Sequence, residues 1–452
     1  MTENWDVIVI GAGISGLSVG AMLANSGSKV LVVEKNDFIG GRCSRVEHEG
    51  YTFDVAGHSY GGEGYLDDVY DKIGKPLPEM SPVAPFTVFI DNEWKGIADI
   101  TPKDEVKKTY KEIVSMSDEE IEELSDTSIK DWLEERNASD DLHRFYLMIG
   151  QLYLSGNSYE KISARDLMFI IKRSLVAKGT QKGYWIEGGS SQLNVPLADA
   201  IREKGGQILL NTNIDEVIIK NGVVQGVRIA KPPVPGYWEI GSDKIEAPIV
   251  ISSLPLWQFF NIVSEEELPK SYVAWIKSIM HKTSYLWTLI VGLKKPAWKE
   301  SSYKFKIITE PLGFNSIGVE YSHFQKTGIP EGQGLMTLSY QGNYDEFPNV
   351  FQGHTAVVKK QIENVFHHLQ LAAKEMIEDF DENCIWQLKH PAVYSIAQEP
   401  CLSGHFRPGV KVPAVKGFYL ASDTINTRGV GVQGAAFSAL NCFERIINDN
   451  KK

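Results

Sequence analysis

Residues 6–42 read DVIVIGAGISGLSVGAMLANSGSKVLVVEKNDFIGGR. Residues 6–10 form a short apolar run suited to a buried parallel strand. Gly11, Gly13 and Gly16 follow directly. Residues 15–25 predict a helix with Leu17, Ala21 and Ala24 on one face. Gly27 ends that helix, residues 29–33 predict a second buried strand, and Glu34 closes it. Each residue has a physical task. Gly11 permits the tight turn, Gly13 lets the backbone approach a pyrophosphate, and Gly16 lets helix and strand pack closely. The helix N-terminus offers N–H groups and a positive dipole end to phosphates. Glu34 lies 23 positions after Gly11. An acid there accepts hydrogen bonds from ribose hydroxyls and repels a 2′-phosphate. Ile14 and Ser15 at the helix start and Lys35 after the acid complete this candidate set. Strand, glycines, helix, strand and acid fall in order, which predicts a dinucleotide-binding βαβ unit.

Gly40-Gly41-Arg42 comes six residues after Glu34. A plain NAD-binding unit has no need of it. The stretch resembles the FAD-binding start of the amine oxidase and phytoene desaturase superfamily, where a Gly-Gly-Arg follows the acid. The resemblance implies FAD, with Gly41 and Arg42 close to its pyrophosphate. Arginine brings a planar charged fork to such contacts.

Two later blocks extend the resemblance. Residues 184–229 read YWIEGGSSQLNVPLADAIREKGGQILLNTNIDEVIIKNGVVQGVRI. Gly188, Gly189 and Ser190 precede a helix over about 192–204, and a strand over 207–211 follows. Asn221-Gly222 predicts a hairpin turn between strands at 216–220 and 223–229. In the superfamily this block returns to the FAD domain, which implies that the Ile214 backbone lies against the adenine. Residues 231–243 read as an extended loop rich in proline. Residues 249–254, including Ser252, predict another buried strand, and Ser252 joins the cofactor-binding candidates. Near the end, residues 417–446 read GFYLASDTINTRGVGVQGAAFSALNCFERI. A strand over 418–421 ends at Ser422-Asp423, and Gly429, Gly431 and Gly434 lead into a final helix. The resemblance implies that Asp423 contacts the ribityl and pyrophosphate part of FAD. Gly431 and Val432, at the helix start, then face the flavin's pyrimidine end. The superfamily usually has Gly where this chain has Ser422, a departure that adds bulk beside the cofactor.

The resemblance implies an α/β fold: a Rossmann-like FAD-binding domain over 1–80, 180–260 and 395–452, with a discontinuous α+β substrate domain over 81–179 and 261–394. Within those excursions, residues 85–90 and 94–97 predict a hairpin around Asp91-Asn92. Residues 102–178 read as mostly helical, and the acidic run 118–123 reads as a solvated helix face. Residues 281–293, HKTSYLWTLIVGL, suit a strand. Residues 352–379 contain a long helical pattern. Its His367-His368 pair is adjacent and does not share a helix face, so it predicts no metal site. FDVAGHSY, residues 53–60, matches a superfamily stretch that passes close to the flavin ring. Gly57 and His58 are therefore candidate cofactor contacts. His58 is the leading candidate acid or base, because its ordinary pKa lies near neutral pH. Tyr60 is the second.

Composition bounds the rest. The chain has 452 residues, 43% of them apolar and 23% charged, with a formal charge of −12. That length predicts two domains. The acidic balance argues against nucleic acid and against binding anionic lipid by charge alone. Peripheral membrane contact stays open. No apolar run reaches about 18 residues, so no spanning segment is expected. The N-terminus, MTENWD, carries no basic segment, and no signal peptide is read. Cys43, Cys384, Cys401 and Cys442 are scattered without a CxxC, which fits a reducing, cytoplasmic compartment and no metal. No oligomeric state is legible. The leading expectation is a flavoenzyme of the phytoene desaturase-like branch that oxidises or saturates a C–C bond of an apolar, isoprenoid or alicyclic small molecule. Three alternatives stand beside it: a flavin amine oxidase, an isomerase using reduced FAD without net redox change, and a prenyl-binding escort protein without flavin catalysis.

Overall fold

A computed structural model describes residues 4–55, 59–60, 64–82, 86–90, 93–154, 158–178, 183–230, 243–299, 303–307, 315–320, 325, 327–348, 350 and 356–451. The proline-rich segment read as a loop at 231–243 lies outside them but for its last residue.

Five strands form a parallel sheet: β1 (Val7–Ile10), β2 (Val30–Val33), β3 (Gln207–Leu209), β4 (Ile249–Ser252) and β5 (Phe418–Leu420). Their spatial order is β3-β2-β1-β4-β5, and every pairing is parallel. β1 and β2 are buried on both faces, which is why their sequences run apolar without alternation. The two faces go to different layers. Val7, Val9, Val30 and Val32 face a cluster with four helices, α1 (Ile14–Asn25), α2 (Tyr65–Ile73), α3 (Val195–Glu203) and α4 (Gly431–Asn450). Ile8, Ile10, Leu31 and Val33 face an antiparallel three-stranded sheet and the segment 256–279. The boundary read at 261 thus falls inside a cluster shared with the parallel sheet.

The second region centres on a seven-stranded sheet. Its order is Cys384–Ile396, Thr283–Leu293, Gly334–Asn343, Asn315–Glu320, Tyr303–Ile307, Phe86–Ile90, Glu93–Gly96. The last two form the hairpin expected around residues 91–92. The strand Thr283–Leu293 is buried at every residue, because the helix Ala356–Met376 covers one face and Tyr51, Phe53 and Trp185 approach the other. A helical layer over 103–178 packs around Trp132, Tyr146 and Phe169.

One expectation for this layer holds only in part: Glu119, Glu120 and Glu123 are exposed. The acidic run is helical over Asp118–Glu122, yet it is not simply a solvated face. Glu122 binds the fully buried Arg165, with Nε–Oε2 at 2.6 Å, and Asp118 binds Lys172 at 2.9 Å. Arg428 reaches both acids. The tertiary partners lie 43 or more positions away, so local sequence gave no sign of them.

Candidate functional site

The dinucleotide end is built where β1 turns into α1. Gly11 has φ +98°, and its N–H donates to the Val33 carbonyl at 2.8 Å. A Cβ on Gly16 would sit 2.1 Å from the Gly11 carbonyl oxygen, so this helix can approach the strand only with glycine there. Gly13 differs. A Cβ there would meet nothing within 4 Å. It faces a cavity of about 1150 Å³ that Ile14 and Ser15 also line.

Glu34 is buried at the end of β2. Its Oε2 accepts the Ala12 N–H and its Oε1 accepts the Asn36 N–H, both at 2.9 Å. Two acceptor positions remain on the carboxylate. Lys35, Thr212 and Ile214 line the cavity beside it. Ser253, at the end of β4, completes this wall; its hydroxyl donates to the carbonyls of Ile10 and Gly11.

The Gly-Gly-Arg loop closes over the turn through a bridge between Gly40 and Gly13. The Arg42 fork meets Asp423 twice, Nη2 to Oδ1 at 2.5 Å and Nη1 to Oδ2 at 3.0 Å. Arg42 also donates to the Tyr394 carbonyl, and Ser395 Oγ donates to Asp423 Oδ2 at 2.9 Å. Two residues read as separate cofactor contacts are therefore partners of each other, tying three distant segments together. Burial pushes the neighbouring Cys43 thiol and Tyr394 phenol up to about 12 each, so both stay neutral. Ser422 turns its hydroxyl to Thr424 at 2.9 Å.

Gly431, Val432 and Gln433, the first turn of α4, line the cavity farther along. Beyond them the wall is largely apolar, with Ile149, Tyr153 and Phe169 from the helical layer and Leu286 and Val393 from the large sheet, and Arg173, Ser339 and Gln341 set among them. The described lining carboxylates are Glu34, Asp215 and Asp423.

The cavity thus collects Gly11, Gly13, Ile14, Ser15, Glu34, Lys35, Gly41, Arg42, Ile214, Asp423, Gly431 and Val432. Gly16 and Ser252 do not line it. Gly16 is consumed by helix–strand contact, and Ser252 is buried within β4, one residue short of Ser253. Gly57 and His58 lie outside the described residues. Tyr60 is described only in its backbone, in the short strand Ser59–Tyr60 paired with Tyr184 and Trp185. Sequence reading missed Ser253, Tyr394, Arg173 and Gln433. For Ser253 a signal existed, since it follows β4 as Gly11 follows β1; the others have no local pattern.

The site fits FAD. Gly13 leaves open space beside the N-terminus of α1, where backbone N–H groups suit a pyrophosphate. Glu34 keeps acceptors for ribose hydroxyls. The positive end of α4 suits negative charge on a flavin. The flavin, when bound, supplies hydride chemistry; the chain positions it and shapes the space beside it. Among the described residues no helix is long and apolar enough to cross a membrane.

The profile of the flavin containing amine oxidoreductases matches residues 14–447. The chain is 22% identical over 260 residues to a neurosporene-forming phytoene desaturase of Cereibacter sphaeroides, spanning half of each chain. It is 22% identical to a chloroplastic prolycopene isomerase of Daucus carota, across 99% of this chain and 81% of that one. The crystal structure of an oxidoreductase from Methanosarcina mazei superposes with a TM-score of 0.75 at 18% identity, covering 97% of this chain and all of that one. With the family profile running across nearly the whole chain, the chain belongs to the flavin containing amine oxidoreductase family, whose members use FAD.

Proposed function

We propose that the chain binds one FAD non-covalently and uses it to oxidise or saturate a C–C bond of an apolar substrate of isoprenoid or alicyclic type. The cofactor-binding set is Gly11, Gly13, Ile14, Ser15, Glu34, Lys35, Gly41, Arg42, Ile214, Asp423, Gly431 and Val432, with Gly57 and His58 beside the ring. Gly16 and Ser252 act from behind that set. His58 is the proposed acid or base, with Tyr60 second. The flavin domain spans 1–80, 180–260 and 395–452; residues 81–179 and 261–394 form the substrate domain, except that 261–279 pack on the flavin side.

One observation carries the substrate class. Beyond Asp423 the described wall is mostly apolar or aromatic, its polar members include Arg173, Ser339, Gln341 and Gln433, and it holds no carboxylate. A cationic amine would enter without a counter-charge, and an unpaired buried charge is strongly disfavoured. The match to the desaturase supports the redox reading. The longer match to the isomerase supports a second one, in which reduced FAD serves an isomerisation.

The test is anaerobic mixing of the FAD-loaded protein with apolar alkenes and with primary amines of equal size, followed by oxygen. Bleaching of the oxidised flavin by the apolar compounds alone is expected. Bleaching by the amines alone would overturn the proposal. Turnover only with pre-reduced flavin, with no net reoxidation, would select the isomerase.

A further inference from the structure

Tyr394 stands at a fault in its strand. Along Cys384–Ile396, Val393 faces Tyr285 and Ser395 faces Ser284, two adjacent residues of Thr283–Leu293. Tyr394 is the extra residue between them, a β-bulge, and bulges re-aim side chains beside active sites. Here the bulge serves three groups. The Tyr394 carbonyl takes Arg42, the Ser395 hydroxyl takes Asp423 at 2.9 Å, and Tyr394 itself joins the cavity wall.

The phenol reaches the start of α4. A Cβ built on Gly431 would lie 3.0 Å from its hydroxyl oxygen. That oxygen has no hydrogen bond among the described residues, and it is not one of the unpartnered atoms sealed inside the fold. Tyr394 is half-buried and opens on the cavity. Arg42, Asp423 and Cys43 act on the phenol electrostatically, and all three line the cofactor end of the cavity. Burial outweighs the pull of Arg42 and pushes the phenol up to about 12, so it keeps its proton.

We infer that the Tyr394 hydroxyl donates a hydrogen bond to the pyrimidine edge of the flavin at the first turn of α4, and stabilises the negative charge that this edge gains on reduction. The inference rests on the proposed FAD site and adds a residue that tunes the cofactor. Three features carry it. The hydroxyl is a free donor on the cavity wall. The groups around it belong to the cofactor end. The positive end of α4 draws an electron-rich atom to the same place, and a neutral phenol meets such an atom by donating. A hydrogen bond to a charged acceptor is stronger than one to a neutral acceptor. The reduced flavin therefore gains more from it than the oxidised one.

Tyr394→Phe removes the hydroxyl and keeps the ring, the bulge and the carbonyl that holds Arg42. The measurements are the midpoint potential of the bound flavin against reference dyes, and calorimetric binding of FAD and of ADP to flavin-stripped protein. The variant's reduction equilibrium should fall about tenfold, a potential about 30 mV lower for a two-electron couple. FAD should bind more weakly, and ADP as it binds the wild type. A yellow variant with the wild-type potential, or a higher one, would overturn the inference and leave the FAD site standing. So would equal weakening of ADP and FAD, since the hydroxyl would then serve the pyrophosphate. A variant that takes ADP normally but no FAD would support the inference. A wild type that takes no FAD would sink the proposed site and the inference together.

Discussion

Gly13 and Gly16 sit three residues apart and should fail in different ways. Gly13 has φ −77° and ψ 178°, a conformation open to any residue, and its missing Cβ faces empty space. Gly13→Val should therefore fold normally and purify colourless. Gly16→Ala forces a methyl group onto the Gly11 carbonyl and should lower stability by about 1–3 kcal/mol. Thermal melts and the flavin-to-protein absorbance ratio separate the two; a yellow Gly13→Val protein would refute the assigned role. Asp54 offers a second test. It is 2% exposed and accepts from the Ser190 N–H at 3.0 Å and hydroxyl at 3.1 Å. Burial pushes its carboxyl up to about 6, against the opposing pull of Arg45 and the Ser190 bonds. The sign follows from linkage. The native state holds this proton more tightly than the unfolded chain, so stability from this group is full below about pH 4, declines up to about pH 6 and is flat above. Asp54→Asn cannot titrate. Its stability relative to wild type should rise by about 3 kcal/mol between pH 4 and 7, as read from urea midpoints. A gap that does not change with pH would refute the shift.

Among the elements, those fixed by local chemistry were legible. Asn221 and Gly222 take φ 52° and 72°, the left-handed pair that a two-residue hairpin demands, and asparagine–glycine announces it. The strand Thr283–Leu293 was legible from its aromatic and β-branched content. The acidic helix was not, because its meaning lies in partners from other segments. Arg165 is fully buried between Glu122 and Asp166, and its Nη1 also donates to the Thr427 carbonyl at 3.0 Å. It thereby ties the helical layer to the loop that leads into α4. Arg165→Met would leave the buried Asp166 without its ion-pair partner, while Glu122 keeps Arg428, and should cost about 3–5 kcal/mol. Arg165→Lys should recover little, since an ammonium cannot fork between two carboxylates and a carbonyl. Denaturation midpoints of the two variants check this, and a wild-type midpoint for the methionine variant would count against it.

At the scale of the whole molecule, the cofactor end could be read and the substrate end could not. A pyrophosphate and a ribose impose glycines and an acid at nearly fixed spacing on one chain segment. An apolar wall imposes no spacing: Tyr153, Phe169, Leu286 and Val393 come from different elements, and each would look the same in an ordinary core. The layout has an energetic consequence. The cavity's cofactor end is walled by Gly13 and Glu34 from the start of the chain, Ile214 and Ser253 from the middle, and Asp423 and Gly431 from the end. A dinucleotide that binds there touches all three and binds only when they are assembled. Its binding energy is then folding energy. Free FAD at 100 times its dissociation constant should add about 2.7 kcal/mol, and the melting midpoint should rise with the logarithm of FAD concentration. ADP, which offers the pyrophosphate but no flavin, should engage the Gly13 and Glu34 end alone and raise the midpoint less at equal concentration. In Gly13→Val neither ligand should move it. The measurement is a thermal melt of protein stripped of flavin, titrated with each ligand. Equal shifts from ADP and FAD would mean that the α4 end of the cavity contributes nothing to holding the cofactor. A Gly13→Val protein stabilised like wild type would mean that the pyrophosphate does not lie at the start of α1.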